Sequence, residues 1–428
     1  MNDFSRRDFI KGLGALGLLA TAGCTDMRGK ASKAHVVIIG GGPGGATTAK
    51  YLKRYNENIR VTLIEPNPVY YTCFGSNWVL GGFHDMNYIA QSYDSLKSLG
   101  VEVVQDRVTA IDPTGKKVTL AEGGSVGYDR LVVAPGIEFK YELMEGMTAD
   151  AATTVPHAWK AGEQTRILHR QLETMPNGGV FVLIPPGNPY RCPPGPYERA
   201  SLVAHYFKQA KPRSKILILD PKGKFSKQGL FMEGWKALYG DMIEWVPGSE
   251  GGMVERIEVA SRTAYTQGGL ESHKADVMNF VPAQRAGAIA HTAGLTGGTD
   301  WCPVDQRTFE STIHPGIHVI GDASIAGKMP KSGHSANSQG KIVAAAIVLA
   351  LADDQMPAPS HVNTCYSLLS PDWGISVAAV YRLQEGTIQG VKGAGGVSPS
   401  NAPASFRRQE AIYAEGWYRN ITADIYGA

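Results

Sequence analysis

The sequence predicts an α/β protein with two Rossmann-like, dinucleotide-binding-type domains and a C-terminal α+β interface domain. The apolar run at 36–39 leads into a glycine loop at 40–45. An acidic residue, Glu65, follows about twenty residues later, as in dinucleotide-binding units. A second apolar run, at 179–184, begins another unit of the same layout. The chain has 428 residues, 43% of them hydrophobic, so two or three domains can each bury a core.

The first thirty residues are predicted to be a twin-arginine export signal at 1–30, separate from the fold. Arg6 and Arg7 precede a short apolar run at 12–20 that glycines interrupt. This run is shorter than the roughly twenty apolar residues that cross a bilayer. Cys24 follows small residues, and its lipidation stays open. We therefore expect a periplasmic protein without stable membrane insertion, and its formal net charge of +3 does not indicate nucleic-acid binding.

The glycine loop predicts a bound dinucleotide. Gly40 permits a tight turn, Gly42 lets the backbone approach a pyrophosphate, and Gly45 brings the following helix close to the strand. The pyrophosphate is expected at the N–H groups of the helix start. Glu65 is then expected to bind a ribose hydroxyl.

Two later turns predict further contacts with FAD. Pro135 and Gly136 follow a buried strand, the second FAD contact expected in a two-dinucleotide flavoprotein; a simple core strand and loop is the alternative. Asp322 ends another apolar strand, where an aspartate is expected to hold the ribityl chain. Lys331 and a helix near 339–352 are expected to cover the flavin.

The second unit lacks a nucleotide loop. After its first strand the chain runs through prolines at 185–198, which remove backbone donors and the tight turn that a pyrophosphate needs. We therefore do not expect NAD(P)H as a substrate. The predicted domains are an FAD-binding domain at 31–155 and 276–355, a second Rossmann-like domain at 156–275, and the interface domain at 356–428.

The C-terminal segment predicts a hairpin and an amphipathic helix. Strands are expected at 361–369 and 374–382, and a helix around 405–425. Apolar residues recur every four positions on one helix face: Tyr413, Trp417, Ile421 and Ile425. Such a stripe is more often a core or dimer face than a cofactor wall; in the second interpretation Trp417 contacts the cofactor.

Without the leader, four cysteines remain: Cys73, Cys192, Cys302 and Cys365. In an oxidising compartment a surviving pair tends to form a disulfide, which can be structural as well as catalytic. Cys302 is interpreted as structural. We expect no metal, because histidines and cysteines do not cluster at ligand spacing. No Cys-x-x-Cys-His motif occurs, so any c-type haem must belong to another protein.

Several segments together resemble the flavoprotein subunit of flavocytochrome c sulfide dehydrogenase, a glutathione-reductase-like flavoprotein related to sulfide:quinone oxidoreductase. They are the segments at 70–73, 191–200, 301–305, 321–323 and 363–366. The resemblance implies FAD bonded through its 8α-methyl group to Cys73, and a redox-active disulfide between Cys192 and Cys365. Glu198 is the candidate base, with a surface salt bridge to Arg191 or Arg199 as its alternative.

This resemblance implies oxidation of hydrosulfide at the cysteine pair and electron transfer to a c-type, dihaem cytochrome subunit. A sulfide:quinone oxidoreductase is one alternative, but it needs a basic, membrane-docking tail, whereas acids balance the arginines at 405–428. A flavoprotein of a sulfur-oxidation complex that acts on protein-bound thiols or persulfides is another. The motifs do not separate these functions, and the oxidation product and the oligomeric state stay open.

Overall fold

The computed structural model describes residues 34–427, so the predicted export signal and Cys24 lie outside the described residues. The strands, β1 to β22 in chain order, are His35–Ile39, Arg60–Ile64, Tyr70–Tyr71, Ala90–Gln91, Val101–Val104, Val108–Asp112, Lys117–Leu120, Ser125–Gly127, Arg130–Val133, Ile137–Phe139, Val180–Ile184, Lys215–Asp220, Ile243–Pro247, Val254–Glu258, Thr263–Thr266, Glu271–Lys274, Val277–Phe280, Gln284–Ala286, Ile317–Val319, Ser360–Ser370, Trp373–Gln384 and Thr387–Val397. The α-helices, α1 to α9, are Pro43–Tyr55, Ser76–Leu80, Asp94–Ser98, Glu163–Thr174, Gly195–Ala210, Gln228–Tyr239, Ala288–Thr292, Gly333–Leu351 and Ala404–Tyr426.

The first domain is built on a five-stranded parallel sheet in the order β19-β9-β1-β2-β5. Val36, Val37 and Ile38 of β1 are fully buried, as expected for a parallel sheet covered on both faces. Helix α1 begins at Pro43, whose fixed φ suits the first turn. The carboxyl ends of β1, β9 and β19 meet at one edge, where ligands of such sheets bind.

The second domain contains a four-stranded parallel sheet in the order β13-β12-β11-β17. Strand β17 pairs with β11 from Phe181 and Val277 to Ile184 and Phe280. The second sheet therefore extends to Phe280, beyond the predicted domain boundary at residue 275.

The C-terminal domain is a three-stranded antiparallel sheet, β20-β21-β22, covered by α9. The first two strands and the helix are confirmed, but β22 was not predicted. Its glycines hide the alternating pattern of a strand. At Gly395 a Cβ atom would lie 2.3 Å from the carbonyl oxygen of Ala378, so the pairing itself requires glycine.

The end of α9 is fixed to the first domain. The ammonium group of Lys50, buried in α1, donates to the carbonyl oxygens of Ala423 at 3.0 Å and Gly427 at 2.6 Å. A cation is favourable there because the last carbonyls of a helix lack internal partners. The hydroxyl of Tyr426 donates to the Gly41 carbonyl oxygen at 3.4 Å. The last turn of α9 therefore packs directly on the glycine loop.

Candidate functional site

Close backbone contacts require two of the three predicted glycines. Gly40 has a φ of 95°, and a Cβ atom there would lie 2.4 Å from the Ala134 carbonyl oxygen. A Cβ atom on Gly45 would lie 1.9 Å from the Gly40 carbonyl oxygen, so only glycine allows α1 to approach the loop. At Gly42 the nearest atoms belong to the Tyr70 ring, 3.6 Å away, and the backbone stays open to a ligand.

Glu65 follows β2, and its carboxylate lies at the entrance of the glycine loop. One carboxylate oxygen accepts a hydrogen bond from the Gly41 N–H at 2.8 Å. The other accepts from the backbone and side-chain N–H groups of Asn67, at 3.0 and 2.7 Å. These bonds hold the carboxylate beside the start of α1, in the region where a ribose contact was predicted.

The turn after β9 has the open geometry that a cofactor contact needs. Gly136 has a φ of 65°, and no atom lies within 4 Å of the position of its missing Cβ. Its carbonyl oxygen accepts from the Gly287 N–H at 3.0 Å. Pro135 packs against Gly287, because a Cβ atom on Gly287 would lie 2.7 Å from the Pro135 carbonyl oxygen. This packing fixes the turn from behind and leaves its front face free.

Asp322 lies just after β19 and pairs with Arg191, which the sequence offered as an alternative partner of Glu198. The carboxylate is 3.6 Å from the guanidinium of Arg191, and both side chains are largely buried. Lys331, predicted to contact the cofactor, donates to the backbone carbonyls of Asp322 at 2.7 Å and Ser324 at 3.0 Å. Its ammonium group also lies 3.8 Å from the centre of the Trp301 ring. Lys331 therefore supports the turn that carries Asp322, and burial lowers its pKa to about 8.

Buried polar atoms without hydrogen-bond partners surround Arg191. They include Oδ1 of Asp322, Nε1 of Trp159 and Nε2 of Gln284. The Arg191 N–H donates to the Gln284 side-chain oxygen at 2.9 Å, and its guanidinium donates to the Trp159 carbonyl. Folded proteins leave few buried donors and acceptors unpaired, so this cluster indicates a ligand. The carboxylate oxygen can accept from a ribityl hydroxyl, and the indole and the amide can each donate one hydrogen bond. Together with the open glycine turns, these groups fit FAD.

Cys73 follows β3 and opens the turn before α2. Its carbonyl oxygen accepts from the backbone N–H and the hydroxyl of Ser76, at 3.2 and 2.7 Å, and its thiol is partly exposed. Burial alone would lower the pKa of Arg191, but nearby Cys73, Asp322 and Tyr70 raise it. Cys73 therefore belongs to the same electrostatic cluster as the predicted ribityl contact.

Cys192 lies at the start of α5 in a strained conformation. Its φ of 57° is uncommon for a residue with a side chain, and such strain often occurs at functional sites. The backbone is held by its N–H, which donates to the Lys331 carbonyl at 2.8 Å, and by its carbonyl, which accepts from the Gly195 N–H at 2.8 Å. A Cβ atom on Gly195 would lie 3.0 Å from the Cys192 sulfur. Glycine therefore lets this sulfur rest against the first turn of α5.

The structure records Cys73, Cys192, Cys302 and Cys365 as free thiols. The Cys192–Cys365 bond is thus not formed in it and stays a prediction. Burial raises the pKa of the Cys192 thiol well above its usual value, and the neighbouring charge of Cys365 raises it further. The two predicted partners therefore lie close enough to interact. Cys302 is fully buried, with a pKa raised to about 12 by burial, as its structural interpretation requires.

Glu198 connects the helix that follows Cys192 with the strand that carries Cys365. Its carboxylate accepts from the Leu368 backbone N–H on β20 at 2.9 Å and from the Asn77 amide at 3.0 Å. Burial raises the pKa of the Glu198 carboxyl, and these two hydrogen bonds oppose the rise. A carboxylate with a raised pKa is a better proton acceptor near neutral pH.

The alternative salt bridges of Glu198 are wrong. Arg191 pairs with Asp322. Arg199 is buried and donates to Asn77 Oδ1 at 3.0 Å, Asn279 Oδ1 at 2.8 Å and a backbone carbonyl. Asn77 thus joins Arg199 to Glu198, and the carboxylate stays free of a direct cation in the described part of the chain.

Trp417 lies between aromatic residues that each follow a predicted site cysteine. Its ring centroid is 5.8 Å from that of Phe74 and 6.3 Å from that of Tyr366, and its Nε1 is buried without a partner. The rest of the predicted stripe runs from core to surface, with exposures of 0% for Ile425, 5% for Ile421 and 52% for Tyr413. The core interpretation therefore holds for the isoleucines, and Trp417 stays a candidate cofactor contact.

Comparisons with known proteins identify the family. The sequence matches the family model of the central part of the "Sulfide dehydrogenase [flavocytochrome c] flavoprotein chain" at residues 165–282. The model "Flavocytochrome c sulphide dehydrogenase, flavin-binding" matches 357–426, and "Pyridine nucleotide-disulphide oxidoreductase" matches 34–174. A sulfide dehydrogenase flavoprotein chain from Chlorobaculum thiosulfatiphilum is 54% identical over 45 residues, which are 10% of this chain and 94% of that sequence. The chain belongs to the flavocytochrome c sulfide dehydrogenase flavoprotein family.

More distant relatives extend the match along the chain. The mitochondrial sulfide:quinone oxidoreductase of Mus musculus is 22% identical over 337 residues, covering 73% of this chain and 69% of the mouse protein. The structure of the Aquifex aeolicus sulfide:quinone oxidoreductase superposes with a TM-score of 0.68 at 18% identity, covering 92% of this chain and 93% of that one. The predicted fold class and family are confirmed, and the flavin-binding model supports FAD as the cofactor.

In this family member, side chains fill the nucleotide position of the second domain. Asp220 ends β12, where an acid would bind a ribose, but it is fully buried. Its carboxylate accepts from the Tyr197 hydroxyl at 2.5 Å and the Trp245 indole N–H at 3.0 Å, and pairs with Lys222 at 2.7 Å. Tyr197 also stacks on Phe225, with centroids 3.6 Å apart. This filled position supports the prediction that NAD(P)H is not a substrate.

The sequence did not identify two residues that lie near the predicted redox pair. Asn77 binds Glu198, and Lys227 donates to Ser367, two residues after Cys365. These contacts join residues 121 and 140 positions apart, so no local pattern marks them. In residues 34–427, no group of three or more His, Cys, Asp or Glu side chains could hold a metal ion.

Proposed function

We propose that this protein is the flavoprotein subunit of a periplasmic sulfide dehydrogenase. It oxidises hydrosulfide with a Cys192–Cys365 disulfide, holds FAD covalently on Cys73, and passes electrons to a dihaem c-type cytochrome subunit. The observation that carries this proposal is that Glu198, on the helix just after Cys192, accepts a hydrogen bond from Leu368 on the strand that carries Cys365, next to residues that fit FAD. When bound, FAD supplies a two-electron acceptor that can release electrons singly.

The residues around the cysteine pair suit attack by hydrosulfide. The nucleophile breaks the disulfide, which leaves a persulfide on one sulfur and a thiolate on the other. Glu198 accepts the proton of the hydrosulfide, a role that its raised pKa favours. The strained backbone at Cys192 and its hydrogen bond to Lys331 hold the attacked sulfur in one orientation.

Covalent attachment through Cys73 is supported by its position. The thiol is partly exposed, follows the Glu65 carboxylate by eight residues, and lies in the cluster of Asp322 and Arg191. Eight extended residues span about 26 Å, enough to reach from the ribose to the far edge of the flavin. After acid denaturation, we expect a yellow pellet and a mass increase equal to FAD. Release of all flavin into the supernatant would contradict the thioether.

The C-terminal helix argues for a soluble electron acceptor over a membrane quinone. Its apolar residues Ile421 and Ile425 are already buried against the first domain, so they are unavailable to lipid. Arg407, which contributed to the basic character of the tail, is fully buried and paired with Glu233 and Glu410. No α-helix between residues 34 and 427 has the length and hydropathy to cross a membrane.

One anaerobic assay separates the three candidate functions. Sulfide should bleach the flavin of the purified protein, and added c-type cytochrome should then be reduced, whereas a soluble quinone should not. Bleaching only with a protein persulfide would favour the sulfur-oxidation complex, and rapid quinone reduction would favour the sulfide:quinone oxidoreductase. Cell fractionation with N-terminal sequencing tests export: mature protein in the cytoplasm, retaining residues 1–30, would contradict it.

A further inference from the structure

Lys227 places a positive charge beside the strand that carries Cys365. Its ammonium group donates to the Ser367 hydroxyl at 2.8 Å. Residues two apart on a strand point to the same face, so Ser367 lies on the face of β20 that Cys365 also occupies. Two strand residues span about 7 Å, which brings the ammonium group within electrostatic range of the Cys365 sulfur. Lys227 forms no ion pair with a carboxylate in residues 34–427, so its charge remains available.

The backbone of Lys227 shows that this placement is maintained against strain. Its φ of 59° lies in the left-handed region, which residues other than glycine seldom adopt. The residue precedes α6, and its carbonyl oxygen accepts from the N–H groups of Leu230 at 3.0 Å and Phe231 at 3.1 Å. Strained residues that the surrounding structure over-determines cluster at functional sites.

Lys227 and Glu198 form hydrogen bonds with two consecutive residues of β20. Lys227 contacts Ser367, and Glu198 accepts from the Leu368 N–H. We propose that Lys227 is a positioning residue that stabilises the thiolate of Cys365 and thereby directs hydrosulfide to the sulfur of Cys192. This inference rests on the proposed function.

The step follows from the charges on each side of the bond. Hydrosulfide bonds to the Cys192 sulfur, the Cys192–Cys365 bond breaks, and its electron pair leaves on Cys365 as a thiolate. The proton of the hydrosulfide goes to Glu198, so Cys192 carries a persulfide anion. The thiol with the lower pKa leaves faster. Burial raises the pKa of Cys365, but Lys227 opposes this rise more strongly than Glu198 adds to it.

The surroundings of Cys192 favour the complementary role. Burial raises its pKa, Cys365 and Glu198 raise it further, and the cations Arg191 and Lys227 have smaller effects. Cys192 is therefore the poorer leaving group. Its sulfur also rests against the first turn of α5, whose N-terminus favours the negative charge of a terminal persulfide sulfur.

The test measures the thiolate of Cys365 without using sulfide. FAD-loaded protein is reduced with dithiothreitol, freed of it anaerobically, and alkylated with iodoacetamide at fixed pH while mass spectrometry follows the Cys365 peptide. Lys227→Gln keeps a hydrogen-bond donor for Ser367 but removes the charge, so alkylation should slow about tenfold or more. Lys227→Arg should stay close to the wild-type rate. Lys224→Gln, at an exposed position of the same loop, is the matched control and should behave as wild type.

Unchanged alkylation of Cys365 in Lys227→Gln would overturn the proposal. If that variant fails to fold by circular dichroism, Ser367→Ala gives the second test, because it frees the ammonium group while retaining its charge. Alkylation of Cys365 should slow less in Ser367→Ala than in a neutral Lys227 variant that folds, such as Lys227→Met. Equal slowing in the two variants would show that Lys227 has a merely structural role.

The direction of attack is tested on the oxidised wild-type protein. One equivalent of sulfide followed by rapid alkylation should place the added sulfur on Cys192. A persulfide on Cys365 would overturn the assigned direction. Absence of persulfide on both cysteines would refute the proposed function instead, and the alkylation rates would still decide whether Lys227 stabilises the Cys365 thiolate.

Discussion

Replacing Glu198 with glutamine tests the base most directly, and the structure predicts both of its effects. The carboxylate accepts from the Leu368 N–H at 2.9 Å and the Asn77 amide at 3.0 Å. A glutamine oxygen can keep the first bond, but its NH2 group then faces the NH2 group of Asn77. Rotating the Asn77 amide would break its bond to Arg199, 3.0 Å away. The variant therefore loses one buried hydrogen bond, which costs about 1–3 kcal/mol of unfolding free energy.

Loss of proton acceptance should have the larger effect on rate. A positioned base contributes about 10²- to 10⁴-fold, so sulfide-dependent flavin bleaching in Glu198→Gln should slow by that factor at neutral pH. Only the ionised carboxylate accepts a proton, and its pKa is raised above 4.5. The wild-type rate should therefore fall as the pH drops through that raised pKa, whereas the variant should lack this decline.

Stopped-flow spectroscopy across the pH range gives the bleaching rates, and thermal unfolding gives the change in stability. Glu415→Gln is the matched control, because Glu415 also holds two side-chain donors, His84 at 2.6 Å and Tyr88 at 2.7 Å, away from the cysteines. It should lose stability without losing bleaching. If Glu198→Gln bleaches at the wild-type rate and keeps the acid limb of the pH profile, Glu198 is not the base.

Three further substitutions, the first with a matched control, test the remaining parts of the site. Cys365→Ser should abolish sulfide-dependent bleaching and leave FAD bound, whereas Cys302→Ser should still bleach; bleaching in both would make the predicted disulfide unnecessary. In Cys73→Ser the denatured chain should no longer carry the added mass of FAD, and retention of that mass would place the attachment elsewhere. Gly45→Ala should lower the unfolding free energy by about 1–3 kcal/mol and weaken flavin binding, because its Cβ would lie 1.9 Å from the Gly40 carbonyl oxygen; an unchanged melting temperature and flavin content would contradict this packing.

Local patterns explain why much of the FAD-binding domain could be predicted. Buried apolar strands and turn glycines are encoded within short segments, and a Cβ atom on Gly45 would meet the carbonyl oxygen of Gly40 in the same loop. Strand β22 escaped prediction because its glycines are explained only by the approach of Ala378.

The site was predictable where a residue's chemistry is distinctive and unpredictable where only its partner gives it a role. The cysteines and Glu198 could be proposed from their chemistry and from the family resemblance. The partnership of Arg191 with Asp322 could not, because their contact joins the loop after β11 to the turn after β19. Asn77 and Lys227 are ordinary residues in sequence and become functional candidates only through contacts made across domains.

The contact between the end of α9 and the glycine loop has a consequence for the order in which the site is assembled. Tyr426 and the Lys50-bound end of α9 pack on residues encoded near the start of the first domain. Chains emerge from the ribosome N-terminus first, so the first sheet can form while α9 is still being made. The wall beside Gly41 is completed only when the last turn of α9 has been made and has docked. Stable loading with FAD therefore depends on this helix, and truncations that remove its last turn should yield flavin-poor protein even where the first domain folds.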